Sequence, residues 1–393
     1  MREMLRILLF AGWCAAAAAA EPPPAPAAQA PPGLSLLGRG FEAIQSDDLQ
    51  VGAIFDFMCD YTRRRDGSSW HQLSFRELEL SLGARLSPYV RFDMFLGIAR
   101  EEEEEEGEPP RGLLRRRWDL CHGYSVGAEE AYLTFTGLPG GLTARAGKMK
   151  AAVGWANRQH IHALSWPDHP LVVRNFLGDE GMAGEGIELS WLAPWDQPYT
   201  ELTYQLLRSD SDIIFAGERW SDRTHVAHLK NVFDLTRSST LEIGLSGATG
   251  PGSGDPGGRR ACLGGIDLSY KWRPVDRALY RSFAWRTELL CLRKHNEEGE
   301  RQHAWGAYTG PEHQFARRWA VGGRLDYSQL PNDRHLHEKG CSAYVTFTPN
   351  HYCYWRAGVE RTTRNFERDG AKGDTMLFLQ LDFSFGAHRA HKY

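Results

Sequence analysis

A period of two runs through this chain. In 51–58, Val51, Ala53, Phe55 and Phe57 oppose Gly52, Ile54, Asp56 and Met58. In 77–86, Leu78, Leu80, Leu82, Ala84 and Leu86 oppose Glu77, Glu79, Ser81, Gly83 and Arg85. In 90–98, Val90, Phe92, Met94, Leu96 and Ile98 oppose Arg91, Asp93, Phe95 and Gly97. The same pattern returns at 266–272 and 377–385. Such alternation marks β-strands with one apolar and one polar face. Beyond the N-terminal region no stretch approaches the ~20 apolar residues of a membrane helix.

Sixteen segments read as strands, near 49–61, 72–86, 88–99, 125–137, 141–151, 184–193, 198–209, 225–236, 239–249, 261–273, 278–293, 302–310, 317–328, 340–349, 352–364 and 374–386. Short turns fall at Ser87-Pro88, 138–140, 194–197, Arg237-Ser238, 274–277 and Asn350-His351, with 311–316 a further turn. They alternate with longer polar loops at 62–71, 100–124, 152–183, 210–224, 250–260, 294–301, 329–339 and 365–373. An even strand count with short connections on one side and long ones on the other is the build of a transmembrane β-barrel. A soluble sandwich has no reason to sort its loops this way. The expected fold is therefore all-β: a transmembrane antiparallel β-barrel of about 16 strands over 34–393, its long loops extracellular. Closure satisfies every backbone group inside lipid.

Composition agrees. Thirteen Trp, 14 Tyr and 18 Phe suit rings placed at two membrane interfaces. Sixteen strands leave an aqueous lumen, which the charged faces line. Asp56, Glu77, Glu79, Arg85, Arg91 and Asp93 are the expected lumen residues. A formal net charge of -4 argues against a nucleic-acid partner.

Residues 1–20 read as a signal peptide: Arg2 and Arg6, then an apolar stretch, then alanines to Ala20. Residues 21–33 are a Pro/Ala-rich linker. Export implies an oxidising compartment for Cys59, Cys121, Cys262, Cys291, Cys341 and Cys353, none of which forms a CxxC pair. Cys262 and Cys291 sit near the top of one hairpin, where a bulge would bring them opposite each other for a disulfide.

The longest loop, 152–183, is too apolar and aromatic for a solvated loop, with Trp155, Trp166, Val172, Val173 and Phe176. It is expected to fold inward and constrict the pore with Arg158, His160, His162, Asp168, His169, Arg174, Asp179 and Glu180. Opposed charges at a constriction select solutes. His160, His162 and His169 are candidate metal ligands, since imidazole and carboxylate suit zinc. Two histidines two apart share one face of an extended chain, but the spacing matches no recognised zinc-site signature, so packing or pore-lining roles compete with that reading.

A sixteen-stranded barrel with a long inward loop after the fifth strand resembles the general porin plan. The stretches HIHALSWPDHPLVVRNFLGDEG (160–181) and FGAHRAHKY (385–393) resemble a narrower group. Its members are porin-like outer-membrane proteins labelled zinc-regulated TonB-dependent outer membrane receptors, related more distantly to phosphate-selective porins. The resemblance implies a passive or gated pore and hints at metal traffic.

Other motifs carry less. Glu101 to Glu106 form a like-charge run expected to be solvated. GLTARAGKM (141–149) has the wrong spacing for a phosphate loop. No GxSxG elbow appears, and nothing positions a catalytic triad, so no enzyme is expected. The expected function is an outer-membrane channel for diffusion of small polar or ionic solutes. The alternatives are a divalent-metal (zinc) uptake protein, with zinc as a transported ion rather than a cofactor, a membrane-embedded hydrolase, and a structural or adhesive barrel without a conducting pore. The expected partners are outer-membrane lipid, the barrel assembly machinery and small solutes or ions, with a homotrimer as the candidate assembly.

Overall fold

The structure, a computed structural model, describes residues 48–100, 118–121, 124–209, 211, 213–217, 219, 221–255, 257–368 and 371–386. The expected signal peptide and linker, Glu101 to Glu106 and the end of the chain from 387 lie outside them.

The strands follow the alternating segments. In chain order they are β1 (Leu49–Arg64), β2 (Ser69–Ser87), β3 (Val90–Arg100), β4 (Trp118–Cys121), β5 (Tyr124–Leu138) and β6 (Leu142–Lys150). Next come β7 (Ala183–Leu192), β8 (Tyr199–Ser209), β9 (Thr224–Thr236), β10 (Ser239–Pro251), β11 (Arg260–Trp272) and β12 (Ser282–His295). The last five are β13 (Arg301–Ala316), β14 (Trp319–Leu330), β15 (Asp333–Asn350), β16 (Cys353–Arg368) and β17 (Ala371–Gly386). Short β4 pairs with β5. The other sixteen pair antiparallel with their neighbours, and β1 pairs with both β2 and β17, so the sheet closes on itself. Closure leaves no edge strand. The seam is marked by Gln380, whose Nε2 donates to both carboxylate oxygens of Asp56 at 3.1 Å across a separation of 324 residues.

The barrel is inverted relative to a soluble protein. Outward residues are apolar and exposed: Leu325 is 60% exposed and Ile187 57%, with Leu245, Ile266, Leu289 and Trp305 around the same wall. Inward residues are polar and buried, among them Asp56, Glu79, Gln205, Asp267, Arg324 and Gln380. A continuous apolar wall of this extent faces lipid, not water. A closed sixteen-strand barrel with such a wall is a protein of the bacterial outer membrane.

Several connections differ from expectation, two of them most clearly. Residues 311–316 are not a turn; β13 runs through them, with Pro311 opposite Trp285 on β12. Proline has no N–H, and the ladder to β14 skips from Thr309 to Glu312 at that point. Nor is 329–339 a loop. β14 and β15 extend to a turn at 331–332, with Tyr327 opposite Lys339 and Gln329 opposite His337. Outside the lipid a strand has no need of an apolar face, so its sequence reads as loop. The Cys262–Cys291 disulfide is not formed either. No bulge intervenes between β11 and β12, so Cys262 faces Arg293, Cys291 faces Gly264, and both thiols are free.

Candidate functional site

Residues 151–182, between β6 and β7, fold into the barrel. They make 3-10 turns at Ala156–Arg158 and Ile161–Ala163, then a short helix at Leu171–Leu177. Pro170 precedes the helix and fits its start, since proline lacks the N–H that a first turn leaves unused. Gly178 ends it at φ 106, a conformation that costs glycine little. The helix buries Leu171, Val172, Val173, Phe176 and Leu177. It packs against β13, β14 and β15. The wall makes room with glycine: a Cβ at Gly306 would stand 2.6 Å from Val172 Cγ2, and one at Gly310 2.7 Å from Trp166 Cζ3. Trp166 also meets Tyr308 edge-on at 5.6 Å and Trp155 at 6.1 Å. Apolar packing and polar anchors thus hold the same loop.

The polar anchors fall into three groups. The first surrounds Asp168. Its carboxylate accepts from Arg174 Nη1 at 2.6 Å and Arg324 Nη2 at 2.9 Å, and its carbonyl accepts from Arg324 Nη1 at 2.8 Å. Arg324 Nε also donates to Asp326 at 2.7 Å, and Asp326 accepts the Leu171 N–H at 3.1 Å. Burial alone would raise the carboxyl pKa of Asp168; the guanidinium groups of Arg324 and Arg174 outweigh it and hold it below the usual value.

The second group caps the first 3-10 turn. Glu288 Oε2 accepts the N–H of Trp155 and of Ala156, both at 3.2 Å, and the hydroxyl of Tyr308 at 3.2 Å. Arg158 Nε donates to the Gly154 carbonyl at 2.6 Å, and its Nη2 lies 3.6 Å from Glu242. Nearby, Arg286 donates to Ser165 Oγ at 3.0 Å and Arg356 to the Leu164 carbonyl at 3.0 Å.

The third group surrounds His160. Its Nδ1 lies 2.9 Å from Glu79 and 2.8 Å from Glu129, and its Nε2 2.9 Å from Glu130. His162 Nδ1 lies 3.4 Å from Glu79. A bulge in β5 aims both Glu129 and Glu130 inward: Phe95 pairs with Glu130 and Leu96 with Ala128, leaving Glu129 as the extra residue. Burial alone would lower the pKa of His160. The carboxylates of Glu79 and Glu129 outweigh it and raise it well above the usual imidazole value.

Of the eight expected constriction residues, Arg158, His160, His162, Asp168 and Arg174 tie the loop to the wall or to itself. Asp179 is exposed, 3.9 Å from Arg174. Glu180 is exposed too, and its carbonyl accepts from Lys150 Nζ at 2.7 Å. His169 is fully buried, and both ring nitrogens lack a hydrogen-bond partner among the described residues. Burial, and then the positive charge of Lys150, lowers its pKa well below the usual value.

Of the expected lumen residues, Asp56, Glu79 and Asp93 are buried and Glu77 is half-buried. Arg91 donates to Asp93 at 3.0 and 2.8 Å, and Arg85 is exposed opposite Arg91. The three candidate metal histidines do not form one cluster. Among the described residues, the group whose ligand atoms all lie within 4.8 Å is Glu79, Glu129 and His160. Sequence reasoning passed over Glu129, Glu130, Glu288, Arg286, Arg324 and Arg356. Inward parity on their strands was the available signal for all but Glu129, which the bulge turns inward.

No family model matches the chain. A protein of Aquifex aeolicus described as uncharacterized is 28% identical over 354 residues, covering 80% of this chain and 69% of its own. Among solved structures, the chain resembles an anion-selective porin from Comamonas acidovorans at TM-score 0.56 and 10% identity, covering 86% of this chain and 99% of that one. It resembles the outer membrane channel DcaP of Acinetobacter baumannii at TM-score 0.55 and 10% identity, covering 87% and 99%. A trimer form of the outer membrane protein OmpT of Vibrio cholerae gives TM-score 0.51 and 7% identity, covering 86% and 100%. These likenesses support the porin plan as a fold. They do not support the TonB-dependent receptor label.

Proposed function

We propose that the chain is a channel through which small polar or ionic solutes diffuse across the outer membrane, with residues 151–182 as its constriction. The observation that carries this reading is the inverted barrel with a charged loop fixed inside it. The loop is joined to the wall by Arg324 on Asp168 at 2.9 Å and by Glu79 on His160 at 2.9 Å. Fixed charges of both signs at a narrowing sort solutes by charge and size. The solved structures described as a porin and a channel support the reading through their shared fold. The trimer form of the Vibrio protein supports a homotrimer as the assembly.

The test is single-channel recording of the purified full chain in planar bilayers, across a series of salts. Discrete conductance steps with a measurable cation-to-anion preference are expected. Deleting 156–178 should raise the conductance. A barrel that inserts yet carries no current, with or without those residues, would identify a structural protein instead.

A further inference from the structure

Three ligand-type atoms converge where the inward loop meets the wall. Glu79 Oε2 comes from β2, Glu129 Oε2 from β5 and His160 Nδ1 from the loop, with Nδ1 2.9 and 2.8 Å from the two oxygens. Hydrogen bonding accounts for only part of this. A ring nitrogen carries one proton at most, so Nδ1 can donate to one of the two carboxylates. Glu79 Oε2 and Glu129 Oε1 are closed off from solvent. The Glu79 side chain is 2% exposed.

A separate observation adds to the imbalance. Glu129 Oε1 and Glu77 Oε1 lie 2.6 and 3.2 Å from the point a Cβ would take at Gly97. Their two carboxylates therefore crowd one small space, which a shared proton or a cation must relieve. Glu130 supplies a fourth carboxylate, 2.9 Å from His160 Nε2. Among the described residues, the positive or ionisable basic groups near these four include His160, His162, Lys150 and, beside Glu130, Arg145, while Lys150 Nζ is directed to the Glu180 carbonyl. Buried negative charge in such excess is costly unless a cation joins it.

We propose that this cluster holds one divalent transition-metal cation, ligated by Glu79, Glu129 and His160, which pins the loop to β2 and β5. One imidazole with carboxylates suits manganese, iron or zinc, whereas calcium and magnesium take oxygen ligands alone. Binding displaces any proton on Nδ1. The ion is resident and structural, so the inference does not depend on what crosses the barrel.

Mn2+ is the probe. The full chain, folded in detergent and stripped with chelator, is titrated with Mn2+ and examined by elemental analysis and pulsed electron paramagnetic resonance. One Mn2+ per chain is expected, with coupling to one imidazole nitrogen, and equimolar Zn2+ should displace it. The Glu79→Gln, Glu129→Gln double variant should bind at least about tenfold more weakly. Sub-stoichiometric binding, a spectrum without nitrogen coupling, or unchanged affinity in the double variant would each overturn the proposal. Should that variant fail to fold, the nitrogen coupling in the unaltered chain decides alone.

Discussion

Trp166 sits over Gly310: its Cζ3 stands 2.7 Å from the place where a Cβ on Gly310 would be. The wall is thus hollowed for this ring, and the guanidinium of Arg324 lies 5.5 Å from its centroid. Gly310→Ala should push the indole out of its seat. Overpacking of this kind costs about 1–3 kcal/mol. The expected outcome is a red-shifted tryptophan emission and faster proteolysis within 151–182, in a barrel whose unheated gel mobility is unchanged. Unaltered emission would show that the loop does not depend on this contact.

Asp168 links two cations, Arg174 and Arg324, and Arg324 is almost wholly buried. Asp168→Asn removes the shared carboxylate. Breaking a buried pair costs about 3–5 kcal/mol. The low end applies here because Arg324 keeps Asp326 at 2.7 Å. The loop should loosen and the recorded current should become noisier, with brief steps above the basal level. Current traces identical to those of the unaltered channel would refute this role.

His169 gives the loop a pH dependence. Lys150, Asp168, Arg324 and Arg174 are the charged groups acting on it, and burial comes first among the causes that depress its pKa below 6.5. A neutral buried histidine whose folded pKa lies below the unfolded value takes up its proton more readily when the loop is undocked. The His169 contribution to docking is therefore fully present above pH ~6.5 and is lost as pH falls below it. Protease sensitivity of 151–182 should rise between pH ~6.5 and ~5. His169→Leu should flatten that rise, since leucine cannot titrate and leaves no ring nitrogen unpaired. An equally steep rise in the variant would assign the effect to another group.

The outer wall makes a depth-dependent prediction. Leu325 is 60% exposed on the lipid face of β14. Leu325→Arg should cost about 2–4 kcal/mol if the residue lies near the bilayer midplane. Folding into lipid vesicles, followed by the gel shift between unheated and boiled samples, would show a smaller folded fraction at equal denaturant. Undiminished folding would place that residue at a membrane interface or off the lipid face.

All sixteen barrel strands were legible, because inside the lipid each must alternate. Leu78, Leu80 and Leu82 announced β2, and the structure keeps that parity in its pairing with β1. Legibility stopped where the lipid stops. The stretch carrying His335 and His337 looked like loop, yet it continues the β14–β15 ladder. The inward fold of the loop was legible from Trp155 and Trp166. The partners of His160 were not, because Glu79, Glu129 and Glu130 are far from it in sequence and only barrel curvature brings them together. The bulge that turns Glu129 inward has no sequence mark of its own.

Asp56 and Gln380 meet across 324 residues, and that contact has a consequence for the order of assembly. Bringing together chain points so far apart costs about 5 kcal/mol in loop-closure entropy, from its logarithmic dependence on length. Until β17 arrives, β1 and β16 each present a bare row of N–H and C=O groups, which lipid cannot satisfy. A chain that has inserted fifteen of its barrel strands is therefore no partial success. Its open seam is the most reactive surface it will ever have, and it must be sheltered until the final strand docks.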